Sequence, residues 1–134
     1  LDVSIKSQIS NLLRDLQRDL GLSLLYISHD LATVRYACDR LIVLYRGRIV
    51  ERASRDALYA RPLHPYTKAL MAAVPVPDPA RPPVALPANG APPADGQGCA
   101  YRHRCPLAAP RCAAEAPLLR ALGDSEVACH LAEE

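Results

Sequence analysis

A proline-dense stretch divides the sequence and limits what either side of it can become. Across residues 75–98, eight of 24 residues are proline. Proline lacks a backbone N–H and fixes its own φ, so such a run sustains neither a helix nor a strand ladder. It predicts a semi-rigid strap between a front segment and a short tail. The tail, 99–134, holds four of the chain's five cysteines: Cys99, Cys105, Cys112 and Cys129. It has few large apolar side chains, and a segment of that size is too small for burial alone to offset chain entropy. A staple is therefore expected, and four thiols supply the ligands for one.

The front segment has the periodicity of an α/β fold. Ile5, Ile9, Leu12, Leu13, Leu16 and Leu20 share one helical stripe, and Gly21 stops it. Residues 22–27 form an almost unbroken apolar run of strand length, the pattern of a strand buried on both faces of a parallel sheet. Asp30 is placed to cap a short helix over residues 31–38. A second strand at residues 41–45 leads through Arg46-Gly47 into residues 48–51, which predicts a hairpin. Ser54 caps a helix ending near Ala60, and Pro65 opens another over residues 66–74. The expected architecture is a parallel α/β sheet followed by a small, irregular, cysteine-rich extension.

Composition narrows the partners. The formal charge of +2 is spread along the chain without a basic stripe, so nucleic acid is not an expected ligand. No apolar run reaches the roughly 18–20 residues of a membrane-spanning helix. Nothing near Leu1 resembles a secretory signal, so the default compartment is the cytoplasm, where thiols stay reduced and a cysteine cluster reads as a metal site. Intervals of five, six and sixteen residues separate the four cysteines. They are wider than a Cys-x2-Cys knuckle and leave zinc and an iron–sulfur cluster both open. His103 and His130 read as exposed or capping residues, and Cys38 as a small apolar side chain outside the metal set.

His29 follows the apolar run, at the carboxyl end of the expected strand, where open α/β sheets place their ligands. By itself it reads as a residue closing a strand-to-helix turn. Taken in order, Leu1-Asp2-Val3-Ser4, the amphipathic helix and Ile27-Ser28-His29-Asp30-Leu31-Ala32 resemble an ABC ATPase beyond its Walker B strand. The resemblance implies that Asp2 is the D-loop aspartate and His29 the switch histidine that contacts the γ-phosphate of ATP bound with Mg2+. It also implies that the phosphate-cradling loop, the glutamine loop, the signature motif and the Walker B carboxylates lie ahead of Leu1. The 134 residues alone are then expected to hydrolyse no ATP.

The second half narrows the family. Leu63-His64-Pro65-Tyr66-Thr67-Lys68-Ala69-Leu70-Met71, then Ala73-Val74-Pro75-Val76-Pro77-Asp78-Pro79, Gly98-Cys99 and Arg104-Cys105-Pro106-Leu107-Ala108, resemble the C-terminal extension of ATP-binding subunits of bacterial oligopeptide and dipeptide importers. That family implies a division into an ATPase part (1–60), the helical start of the extension (61–74), the strap (75–98) and a metal-binding tail (99–134). It implies a [4Fe-4S] cluster on the four cysteines in preference to Zn2+. The implied partners are a paralogous or identical ATP-binding subunit, two transmembrane permeases and, indirectly, an extracytoplasmic peptide-binding protein, with the subunit peripheral to the cytoplasmic face of the cell membrane. Importers of nickel or glutathione carry a similar extension, and a non-enzymatic metal-binding regulator or scaffold is the alternative from another class. His64-Pro65-Tyr66 reads as a loop entering a docked amphipathic helix, with no site assigned to it.

Overall fold

Helix α1 (Val3–Leu20) ends where the sequence says it should, and the ending is specific. Gly21 adopts φ 63°, and the Leu22 N–H reaches back to the Gln17 carbonyl at 3.1 Å, the six-to-one bond of a Schellman cap. The computed structural model describes residues 3–73 and 96–133; Asp2 and nearly all of the proline-rich strap lie outside the described residues. The described chain divides into two compact units, Leu1–Asp39 and Arg40–Glu134.

In the first unit, α1 is followed by α2 (Leu31–Ala37). The Asp30 carboxylate caps α2, accepting from the Ala32 and Thr33 N–H groups at 3.1 and 3.3 Å and from the Thr33 hydroxyl at 2.7 Å. The Tyr36 hydroxyl donates to the Asn11 side chain at 2.9 Å, joining the two helices. The apolar run between them departs from expectation. Residues 22–27 join no strand ladder among the described residues, and Leu25 and Ile27 are 85% and 89% exposed. A strand exists only with a hydrogen-bonded neighbour, and none of the described strands pairs with this run.

The second unit holds the sheet, and every pairing in it is antiparallel, not parallel. Strands β1 (Arg40–Tyr45) and β2 (Arg48–Ser54) form the expected hairpin, with Arg46 and Gly47 both at positive φ, 50° and 75°. Two such residues give the mirror-image turn whose twist suits a hairpin, and glycine at the second position takes it without strain. A bulge between Val43 and Leu44 inserts Val50 as an extra residue in β2, so Glu51 pairs with Val43 on the face shared by Leu41 and Ala53. Helix α3 (Arg55–Ala60) starts on the Ser54 hydroxyl and buries Leu58 completely; α4 (Pro65–Ala72) starts on His64.

The tail is less irregular than its composition predicts. It contains α5 (Pro110–Ala114) and a second hairpin, β3 (Arg120–Leu122) and β4 (Ser125–Val127). Strand β4 pairs with β2 at Glu51–Ala53, giving the sheet order β1-β2-β4-β3. Arg52 and Glu126 face each other across this seam and form a two-pronged ion pair. Leu63, Val127 and Ala132 make one buried cluster, with Leu122 and Cys129 packed against it. The tail therefore shares its core with Leu63, ahead of α4, and its sheet with the first hairpin, which lends it stability beyond any staple.

Candidate functional site

The four tail cysteines come from three different local structures and line one small cavity, together with His64 and Tyr101. Cys99 enters through a turn that only glycine permits: Gly98 has φ 67°, and a Cβ there would lie 2.4 Å from the Cys112 carbonyl oxygen and 2.5 Å from that of Ala113. This close approach lets the Cys99 N–H donate to the Cys112 carbonyl at 2.8 Å, clamping the Cys99 segment to α5. Cys105 follows two tight turns, Arg102 N–H to the Cys99 carbonyl and Arg104 N–H to the Tyr101 carbonyl. Cys112 is buried on α5, and Cys129 follows β4.

All four are free thiols. Burial pushes the Cys99 and Cys105 thiols up from their ordinary range, and the neighbouring thiols push in the same direction. Among the described residues no three His, Cys, Asp or Glu side chains already form a closed metal cage. His130 turns its Nε2 to the Glu115 carbonyl at 2.9 Å, and His103 is exposed, so neither departs from the capping or surface role expected of it. The Arg102 guanidinium bonds to the Gln97 and Cys99 carbonyls, while Arg111 pairs with Glu115.

A second arrangement adjoins the cavity and was not legible in the sequence. Glu51 is 0% exposed, and its two carboxylate oxygens accept the backbone N–H groups of Leu63 and His64 at 2.8 and 2.9 Å. That clamp fixes the start of α4. The His64 Nδ1 then accepts the Tyr66 N–H at 3.0 Å as N-cap, with Pro65 at the first helical position, where its missing N–H is harmless. Tyr66, Tyr45 and Tyr101 pack as a tilted and edge-on cluster with ring centroids 4.7–5.4 Å apart, linking α4, the first hairpin and the cysteine segment. The His64-Pro65-Tyr66 sequence is thus a joint between the sheet and the thiol cavity.

Burial lowers the His64 pKa from 6.5 to about 4. A depressed histidine contributes stability that is fully present above pH 6.5 and is lost as pH falls towards 4, because the unfolded chain binds the proton first. At about 1.4 kcal/mol per pH unit the full effect is roughly 3 kcal/mol. Denaturant titrations of the chelator-treated chain at pH 7 and pH 4.5 should show this loss, and His64→Asn should flatten most of it. A wild-type stability unchanged across that interval would contradict the assignment.

His29 lies in the other unit, exposed at the end of the apolar run. The Ser28 hydroxyl accepts the Asp30 N–H at 3.0 Å, so the residues on either side build the turn that carries it into α2. Asp2, its expected companion, falls outside the described residues. Cys38 is half-buried at the C-terminal cap of α2 in this same unit, where burial and Asp39 raise its pKa. Cys38 belongs to the first unit and the four cavity thiols to the second. No helix among the described residues is long and apolar enough to cross a membrane.

The sequence of the chain is similar to those of ATP-binding proteins of peptide ABC transporters. Residues 50–112 match the family described as oligopeptide/dipeptide transporter, C-terminal region. The chain is 53% identical to a probable peptide ABC transporter ATP-binding protein, y4tS, of Sinorhizobium fredii, across 98% of this chain and 38% of that protein. It is 56% identical to a putative peptide import ATP-binding protein of Brucella ovis, across 90% of this chain and 39% of the relative. Identity to the oligopeptide transport ATP-binding protein OppF of Salmonella typhimurium is 47%, across 96% of this chain and 40% of that protein. Over nearly its whole length the chain is similar to proteins named as peptide-transport ATP-binding proteins, and residues 50–112 match the C-terminal region of that transporter family. It spans about two fifths of the length of the relatives it matches.

Proposed function

We propose that the chain is the C-terminal part of an ATP-binding subunit that powers peptide import through an ABC transporter. The observation that carries this reading is identity of 47–56% over 90–98% of the chain to proteins described as peptide-transport ATP-binding proteins. In the complete subunit, residues 22–27 enter a parallel sheet as the strand that ends at His29. ATP with Mg2+ supplies the transferable phosphoryl group. His29 donates a hydrogen bond to its terminal phosphate and orients the attacking water, and Asp2 belongs to the loop facing a second ATP-binding subunit. The subunit docks on two transmembrane permeases at the cytoplasmic face of the membrane, and an extracytoplasmic binding protein delivers the peptide.

A contact to the terminal phosphate acts mainly in the transition state. His29→Ala in the complete subunit should therefore cut ATP turnover at least ~10-fold while changing ATP affinity by about twofold or less. Unchanged turnover would return His29 to a turn-closing role. The transport reading itself is tested by exchanging this chain for the matching segment of the Salmonella OppF protein. Restored oligopeptide uptake is expected, and a folded, membrane-assembled chimera without uptake would contradict it.

What supports a metal centre on Cys99, Cys105, Cys112 and Cys129 is that all four line one small cavity. Burial and the neighbouring thiols oppose ionisation of Cys99 and Cys105 there, and a bound cation would remove that objection by favouring the thiolates. A [4Fe-4S] cluster is the favoured occupant and Zn2+ the alternative. Its role is to anchor the tail on the sheet, since ATP-driven import calls for no electron transfer.

A further inference from the structure

Residues 40–50 and 96–114 lie far apart in the chain, and between them they hold six arginines and no Asp or Glu. The tyrosine cluster brings the two segments together, with the rings of Tyr45 and Tyr101 meeting edge-on, centroids 5.1 Å apart. The Arg46 guanidinium lies over the Tyr45 ring, 5.8 Å from its centroid. Arg48 stands opposite Tyr45 in the β1–β2 ladder, so its side chain leaves the sheet on the same face. Burial raises the Tyr101 pKa and the positive charge of Arg104 opposes that rise, which puts a third guanidinium beside the same rings. Arg46 and Arg48 are exposed, and among the described residues neither forms an ion pair with a carboxylate. Folding thus concentrates at the hairpin tip a positive charge that the sequence disperses, and such a patch attracts anions.

The other face of the tip is apolar. Leu44 and Ile49 stand opposite each other in the ladder and are 56% and 37% exposed. Arginines, a tyrosine at their base and an exposed aliphatic pair on one turn suit a surface that is anionic outside and apolar beneath. An acidic protein segment would use the arginines and leave Leu44 and Ile49 in water.

We propose that the tip of the β1–β2 hairpin, Leu44 to Ile49, is a membrane-contact surface that binds the headgroups of anionic phospholipids. Arg46 and Arg48 meet the headgroups, Arg104 adds to the field behind them, and Leu44 and Ile49 reach the edge of the acyl layer. Attachment to a membrane is part of the transport reading above, but uptake by the chimera and vesicle binding by the tip can fail independently.

The full chain is sedimented with vesicles of pure phosphatidylcholine and of equimolar phosphatidylcholine and phosphatidylserine. Binding to the mixed vesicles should exceed binding to the pure ones at least ~10-fold and fall steeply with added salt. Arg46→Gln with Arg48→Gln should weaken it about 10- to 30-fold, at about fivefold for each basic residue near an anionic surface. Arg46→Lys with Arg48→Lys restores the charge and should bind within about threefold of wild type, which separates lost contact from a damaged turn. Arg61→Gln with Lys68→Gln removes the same charge away from the tip and should cost about threefold or less. Equal losses in the two glutamine pairs would reduce the effect to overall charge and overturn the proposal. Equal binding to the two kinds of vesicle would overturn it too, leaving only apolar adhesion. A chain that binds polyglutamate and neither vesicle would give the tip to an acidic protein segment instead.

Discussion

Glu51→Ala is expected to unfold the second unit or bring it close to unfolding. The substitution removes both acceptors of the Leu63 and His64 N–H groups in a site with no solvent access. A buried donor left unsatisfied costs about 1–3 kcal/mol, so the pair together costs roughly 2–6 kcal/mol. That is a large share of the ~5–15 kcal/mol by which ordinary domains are stable. Glu51→Gln is the informative companion, because its amide keeps one acceptor and turns a donor towards the other N–H. Its loss should fall between wild type and alanine. Urea unfolding read by tyrosine fluorescence measures both, since Tyr45, Tyr66 and Tyr101 cluster beside the clamp. An alanine variant within about 0.5 kcal/mol of wild type, the range of an ordinary surface change, would show that the clamp contributes little.

Cys112→Ser should have the largest effect on the tail. Cys112 is buried on α5, and its carbonyl anchors the Cys99 segment, so it joins the Cys99 turn to α5. Serine keeps the backbone and nearly the volume but is a poor ligand for a soft metal. Ligation of a structural centre by thiolates contributes on the order of 10 kcal/mol to folding. Amide hydrogen exchange should then show lost protection along β3 and β4, with much of the β1–β2 hairpin retained. Cys38→Ser, in the other unit, should leave the exchange pattern of the tail as it is. Equal protection in Cys112→Ser and wild type would mean that the shared sheet and the Val127 cluster hold the tail unaided.

The contrast between these two predictions follows what the sequence makes visible. Gly21, Asp30, Ser54 and Pro65 announce helix boundaries because each satisfies or omits specific backbone groups within a few residues of itself. Arg46-Gly47 announces its hairpin for the same local reason. The clamp escapes such reading because the bulge at Val43/Leu44 breaks the alternation of β2 and makes Val50 and Glu51 buried neighbours. An acidic residue there looks like a solvated strand residue until the second residue of the bulge is known. Strand β4 was equally hidden: three residues show no periodicity, and its partner β2 lies more than 70 positions away, as the Arg52–Glu126 pair records. The apolar run at 22–27 shows the converse limit, since a strand needs a neighbour and no apolar pattern reveals whether one is present. The thiol cluster was legible from its count in so short a tail, although the spacing gave no metal.

The metal content of the chain, purified without oxygen, tests the account most directly. The predicted result is brown protein with about four irons per chain, bleached by Cys-to-Ser change at Cys99, Cys105, Cys112 or Cys129 and unaffected by change at Cys38. Colourless protein with about one zinc per chain would keep the four-thiolate centre and replace the cluster. Metal-free protein whose β3–β4 hairpin is fully protected from exchange would contradict the centre itself.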